Sequence, residues 1–109
     1  MYKYILDEND CPKLVTTLEY LDWQETLPEE IRTHIGFRLA RDEVGDVLVS
    51  TVYLGMDMGF DEGVPFLWET IVFCPGENDQ DCERATSRGE AMETHKRFCK
   101  KYLGVDYGC

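Results

Sequence analysis

The periodicities along this chain predict an α+β domain. Its expected form is a four-stranded, mainly antiparallel sheet with two helices on one face, in the order β-α-β-β-β-α. Three observations predict it. Residues 47–54 and 66–74 are consecutive apolar, β-branched and aromatic runs. Residues 11–26 and 88–103 carry apolar positions at helical spacing. Short alternating runs at 2–6 and 31–41 supply the remaining strands.

Tyr2 to Leu6 alternates enough for a first strand, ended by Asp7, Glu8 and Asp10. Asp10 is positioned to cap the next helix, with Pro12 tolerated in its first turn. Leu14, Leu18 and Leu21, with Val15 alongside, form the apolar stripe that makes 11–26 an amphipathic helix. Pro28 and Glu29-Glu30 mark its exit. In the strand over 31–41, Ile35, Phe37 and Leu39 point one way and Gly36, Arg38 and Ala40 the other. Residues 42–46 read as a turn, with Gly45 free to take a positive φ.

Val47 to Leu54 is apolar on both faces except at Ser50 and Thr51, which predicts a central strand. A glycine-rich acidic loop, Met56 to Pro65, leads to the last strand, Phe66 to Cys74. Pro75 to Arg84 is polar and aperiodic. Ser87 and Glu90 match a capping box. The helix that follows aligns Ala91, His95, Phe98 and Tyr102 and ends at Gly104. Residues 1–104 thus form one domain with a loose tail at 105–109.

The chain has 109 residues, 43% of them hydrophobic, which is enough to build a core. It has 22 acidic and 11 basic side chains, a formal charge of −11. Direct nucleic-acid binding is not expected, because the phosphate backbone is held by cationic side chains. A protein with a basic surface is the better partner. Strong acidity also serves solubility by itself. Five cysteines, an odd number, and no secretory leader at the start predict reduced thiols in a cytoplasm. No apolar run approaches the roughly 18 residues of a membrane span.

The runs Val49-Ser50-Thr51-Val52-Tyr53-Leu54-Gly55-Met56-Asp57 and Phe66-Leu67-Trp68-Glu69-Thr70-Ile71-Val72-Phe73 precede a helix with Glu90-Ala91 and His95. This order resembles a family of small proteins encoded mainly by bacteriophages. That family's pattern runs Val-Ser-Thr-Val-Phe-Leu-Gly-Leu-Asp-His, Phe-Glu-Thr-Met-Val-Phe, Arg-Tyr-x-Thr and Glu-Ala-x-x-Gly-His. The resemblance spans Leu18 to His95. Met58, Ala85 and Thr94 stand where the family has His, Tyr and Gly. It implies a phage or prophage accessory protein and no particular reaction.

Three constellations are candidates for chemistry. His95 lies on the apolar side of its helix. It reads either as a core histidine bonded to Thr70 or Glu69, or as a general base or metal ligand with Asp57 and Glu69 as acidic companions. Cys74, Cys82, His95 and Cys99 form a C-x7-C-x12-H-x3-C zinc candidate whose first spacing is too long for an ordinary finger. The run 77–83 alternates acids as a calcium loop does, but lacks its turn glycine and its twelfth-position acid, and reads as solvated. If strands 47–54 and 66–74 pair antiparallel, Asp42, Glu43, Asp46, Glu77, Asp79, Asp81 and Glu83 gather at one end of the sheet. That end is then a docking surface for a basic partner or a solubility device.

No Walker loop, dinucleotide fingerprint, zincin motif or nucleophile elbow is present, and no cofactor is expected. The two functional expectations are therefore a non-enzymatic module that modulates a host process through its acidic surface, and a small enzyme or ligand-binding domain using Asp57, Glu69 and His95.

Overall fold

The computed structural model describes residues 3–9, 11–33, 36–55, 66–76 and 81–104. The chain begins with a hairpin, where the sequence predicted one strand and the start of a helix. Strand β1 (Lys3–Leu6) pairs antiparallel with β2 (Pro12–Val15). Asp7 makes the turn between them. Its Oδ1 accepts from the backbone N–H groups of Asn9 at 2.8 Å and Cys11 at 3.0 Å. Its own N–H donates to the Cys11 carbonyl. A short carboxylate that bonds its own backbone favours such a turn over helix initiation.

Helix α1 (Thr17–Glu25) consequently starts later than residue 11. Thr16 and Glu19 satisfy each other's backbone N–H groups in a capping box, and the expected cap, Asp10, lies outside the described residues. The helical phase also differs from the expectation. Tyr20 is buried, whereas Leu18 is 75% and Leu21 49% exposed. Leu14, now in β2, is 54% exposed. Rings bury more area per side chain than leucines do. Trp23 sits edge-on to Phe37 and Tyr53, with ring centroids 6.2 and 5.8 Å away. The aromatic side of α1 therefore faces the core.

After a single 3₁₀ turn (Glu29–Ile31) come β3 (Phe37–Val44), β4 (Val47–Tyr53), β5 (Trp68–Phe73) and β6 (Cys82–Ala85). They form one antiparallel sheet in the order β3-β4-β5-β6. The fold is thus α+β, with a four-stranded antiparallel sheet and two helices. The fourth strand is β6, taken from a segment that read as loop. Only Ala85 of its four residues is buried, so it carries no apolar alternation to read. Backbone pairing to β5 and an Arg84–Glu69 ion pair across the strands hold it.

Helix α2 (Arg88–Phe98) packs across β4, β5 and β6. Ser87 caps it by accepting the Glu90 N–H. The Glu90 carboxylate reaches the Thr86 N–H, one residue earlier than a capping box requires. A π-helical turn (Cys99–Leu103) extends α2, and Gly104 ends it in the left-handed region at φ 69°. The buried side of α2 is Ala91, Thr94, His95 and Phe98; the stripe predicted Ala91, His95 and Phe98 but not Thr94, and Tyr102, its fourth member, is half-buried. The tail 105–109 lies outside the described residues.

One cross-strand row, Phe37–Tyr53–Trp68–Ala85, lies on the helix-covered face. With Leu6, Leu67 and Ala91 it forms the larger core cluster. A smaller cluster joins Val49, Val72, Phe98 and Cys99. Gly55 is the tightest point between α1 and the end of β4. Its φ is 72°, and a Cβ there would stand 2.4 Å from the Tyr20 hydroxyl. Gly45, in the β3–β4 turn at φ 59°, has open space around it. Gly55→Ala is expected to destabilise the fold by about 2–4 kcal/mol and Gly45→Ala by about 1 kcal/mol. Urea denaturation measures both, and equal losses would contradict the seating of Tyr20 against Gly55.

Candidate functional site

The site begins with a β-bulge. Strand β3 pairs Arg38 with Val52 and then Ala40 with Thr51, so Leu39 is an extra residue against β4. Strict alternation would turn Ala40 and Asp42 away from the helices. The bulge shifts the strand by one residue and brings both to the covered face. β3 also continues to Val44, so the expected 42–46 turn shrinks to Gly45-Asp46 and Asp42 is a strand residue.

Asp42 meets His95 there, with its Oδ2 2.7 Å from Nε2. On the other side of the ring, Nδ1 lies 2.7 Å from Thr51 Oγ1, which is itself 2.7 Å from Thr70 Oγ1. The carboxylate can only accept, so Nε2 carries a proton. With the ring neutral, Nδ1 accepts from the Thr51 hydroxyl, which in turn accepts from Thr70. Every donor then runs one way, from Thr70 through Thr51 and His95 to Asp42. Cys99 Sγ stands 3.7 Å from the same Asp42 oxygen. His95 is 2% exposed, Thr51 0% and Thr70 1%, while the Asp42 side chain is one-third exposed.

A hydroxyl, an imidazole and a carboxylate in line are the components of a nucleophilic triad. Here the hydroxyl is sealed in a central strand and the carboxylate holds Nε2. A shallow depression of about 410 Å³, lined by Phe66, Cys82, Glu83 and Arg84, shares no residue with this network. The arrangement clamps α2 to the sheet and presents no hydroxyl to a substrate.

The acids expected beside His95 are placed elsewhere. Asp57 lies outside the described residues. Glu69 points from the opposite face of β5, where it pairs with Arg84 at 3.1 Å. Sequence reasoning missed Asp42 and Thr51 as the partners of His95. The bulge that aims Asp42 inward has no signature in the apolar pattern, and Thr51 read only as part of a strand.

The zinc candidate does not assemble. Cys74 packs at the smaller core cluster with Cys99, but Cys82 is exposed on the far side of the sheet. The donors that do converge are Asp42, His95 and Cys99, within 4.8 Å of one another. The direct His95–Asp42 distance is that of a hydrogen bond. Two ligands of one tetrahedral zinc stand about 3.3 Å apart, so an ion would have to replace the Nε2 proton and part the pair.

Of the acidic set, Glu77 and Asp79 lie outside the described residues. The Leu48–Phe73 register brings the β3–β4 turn beside the end of β5, as expected. Internal partners take up most of the acids at that end. Glu43 pairs with Arg41, Glu83 with Arg97, and Asp81 with Lys101. The Tyr102 hydroxyl bonded to Asp81, with Lys101 nearby, holds that carboxyl below its usual range. Asp42 is committed to His95, and Asp46 is exposed in the turn.

No protein-family model, curated protein or solved structure matches the chain.

Two outcomes test the geometry. Thr51→Val leaves His95 Nδ1 without its donor and is expected to cost about 1–3 kcal/mol in urea denaturation. In wild-type protein, ¹⁵N spectra of the neutral His95 ring should place the proton on Nε2; a proton on Nδ1 would reverse the chain of donors. At Cys82, partial desolvation and then the neighbouring Glu69 charge push the thiol pKa up. Less thiolate is therefore present at pH 8, and iodoacetamide should alkylate Cys82 more slowly than a free thiol. Glu69→Gln removes one of the raising charges and is expected to speed the reaction.

Proposed function

We propose that this chain is a phage or prophage accessory protein that acts in the bacterial cytoplasm without catalysis, as an interaction module for a host protein with a basic surface. The modulated process would include host defence. The observation that carries the non-catalytic reading is the closure of His95. Both of its ring nitrogens are spent within the fold, at 2% exposure, and Glu69 stands on the other face of the sheet. The alternative, an enzyme or ligand-binding domain using Asp57, Glu69 and His95, requires those groups to share an opening.

Charge supports the choice of partner. A surface at −11 draws cationic partners and raises their association rate. Free cysteines at 11, 74, 82 and 99 are compatible with a reducing compartment. No helix among the described residues is long and apolar enough to cross a membrane. The phage origin rests on the motif resemblance.

Neutralising Glu43, Asp46 and Asp81 together (Gln, Asn, Asn) tests the sheet-end surface. Circular dichroism should show an intact fold. Binding to a host protein captured from bacterial lysate is expected to weaken several-fold at about 50 mM salt and less at higher salt, because exposed charges are screened. Unchanged binding at low ionic strength would reduce that end of the sheet to a solubility feature.

A further inference from the structure

The outer face of α1 carries an apolar pattern that the fold does not use. At 3.6 residues per turn, Leu18, Leu21, Asp22 and Glu25 fall within an arc of about 100°. All four are exposed, while Tyr20 and Trp23 occupy the inward side. Leu14 adds a third exposed leucine on β2, the edge strand that leads into the helix. Leucines at 75%, 49% and 54% exposure along one short segment do nothing for the core.

The charges around them point to the occupant. Helix α1 contains no Lys or Arg. Asp22 and Glu25 make no ion pair among the described residues, in contrast to the acids at the end of the sheet. Arg32 spends its guanidinium on the backbone carbonyls of Leu27 and Glu25. Lys13, on β2, lies near Glu19, and Lys3 lies over the Tyr20 ring. Two exposed leucines thus stand beside two exposed carboxylates that make no ion pair among the described residues. A second copy of this chain fits poorly, since a symmetric contact would set Asp22 and Glu25 against themselves.

We propose that this face docks a cationic amphipathic helix of another protein, whose apolar side chains cover Leu18 and Leu21 while its Lys or Arg residues pair with Asp22 and Glu25. The inference rests on the interaction-module reading above and adds to the acidic end of the sheet a second, apolar docking face on α1. Ridges formed by residues three apart, such as Leu18 and Leu21, accept a second helix by ordinary ridge-and-groove packing.

The probe is a synthetic Leu/Lys helical peptide of about four turns, with an Ala/Lys peptide of equal charge and a Leu/Glu peptide as controls. Titration followed by anisotropy should show the Leu/Lys peptide binding at least roughly tenfold tighter than either control. Leu18→Ser with Leu21→Ser should weaken it by roughly tenfold, with the thermal melt unchanged because both side chains are exposed. Asp22→Asn with Glu25→Gln should weaken it several-fold at low salt and converge with wild type at high salt.

Equal binding of the Ala/Lys peptide, or unchanged binding by the double-serine variant, would overturn the proposal. So would a wild-type dimer in sedimentation, or binding to neutral lipid vesicles, that the serine substitutions abolish. The neutralised Glu43, Asp46 and Asp81 variant separates the two readings. If it alone loses a captured host partner, the α1 face fails and the module survives. If neither variant set affects any partner, the module itself fails.

Discussion

The hydrogen-bonded line Thr70–Thr51–His95–Asp42 sets the register of this fold, and its position explains why. Along β4 the covered face reads Val49, Thr51, Tyr53; along β5 it reads Val72, Thr70, Trp68. Along the last helix, Ala91 belongs to the larger core cluster, His95 to the polar line, and Phe98 and Cys99 to the smaller cluster. Three elements therefore stack apolar, polar and apolar layers in the same order. A slip of α2 by one turn would set His95 against apolar side chains and strand the threonine pair. Leaving a buried polar group unpaired costs about 1–3 kcal/mol, so the line enforces one alignment in a way that apolar contact alone does not.

The bulge at Leu39 is the precondition for that line. Without it, Asp42 would stand on the open face of the sheet and His95 Nε2 would lose its acceptor. A bulge also raises local twist, and here it lies on edge strand β3, which the helices cover from one side. The carboxylate stays one-third exposed while the imidazole is sealed. The structure therefore places the carboxylate end of the network at the rim and its hydroxyl and imidazole members in the interior, the order that desolvation favours.

The legibility of the sequence follows from which forces leave a periodic trace. Strands β4 and β5 and helix α2 were readable, because each buries a face against the others and its apolar positions recur accordingly. Ser87 was readable as a cap for the same helix. The first hairpin was not, since it is made by the Asp7 side chain bonding backbone N–H groups. Strand β6 was not, since it buries only Ala85 and is held by pairing and charge. His95 was legible as an inward residue, but its partners were hidden by the one-residue bulge. The larger failure concerned α1. Three leucines at helical spacing predict its core face, whereas Tyr20 and Trp23 occupy that role. A hydrophobic stripe states only that a surface avoids water. It does not state whether the chain's own core or another molecule covers it.

Charge divides the molecule along the same line. Five of the eleven cationic side chains, Arg88, Lys96, Arg97, Lys100 and Lys101, belong to α2 and the turn that extends it. Arg97 and Lys101 reach acids at the end of the sheet. The net negative charge left over is therefore not spread evenly. It weighs on the part of the chain with acids and few cations, and α1, with Glu19, Asp22 and Glu25 and no cation of its own, belongs to that part. Exposed ion pairs contribute little to stability, so pairing at one end and its absence at the other hardly affect folding. They do affect what approaches. A cationic partner meets mostly paired acids at the sheet end, with Asp46 exposed in the turn. At α1 it meets open carboxylates beside open leucines, where electrostatic steering and apolar burial act on the same few residues.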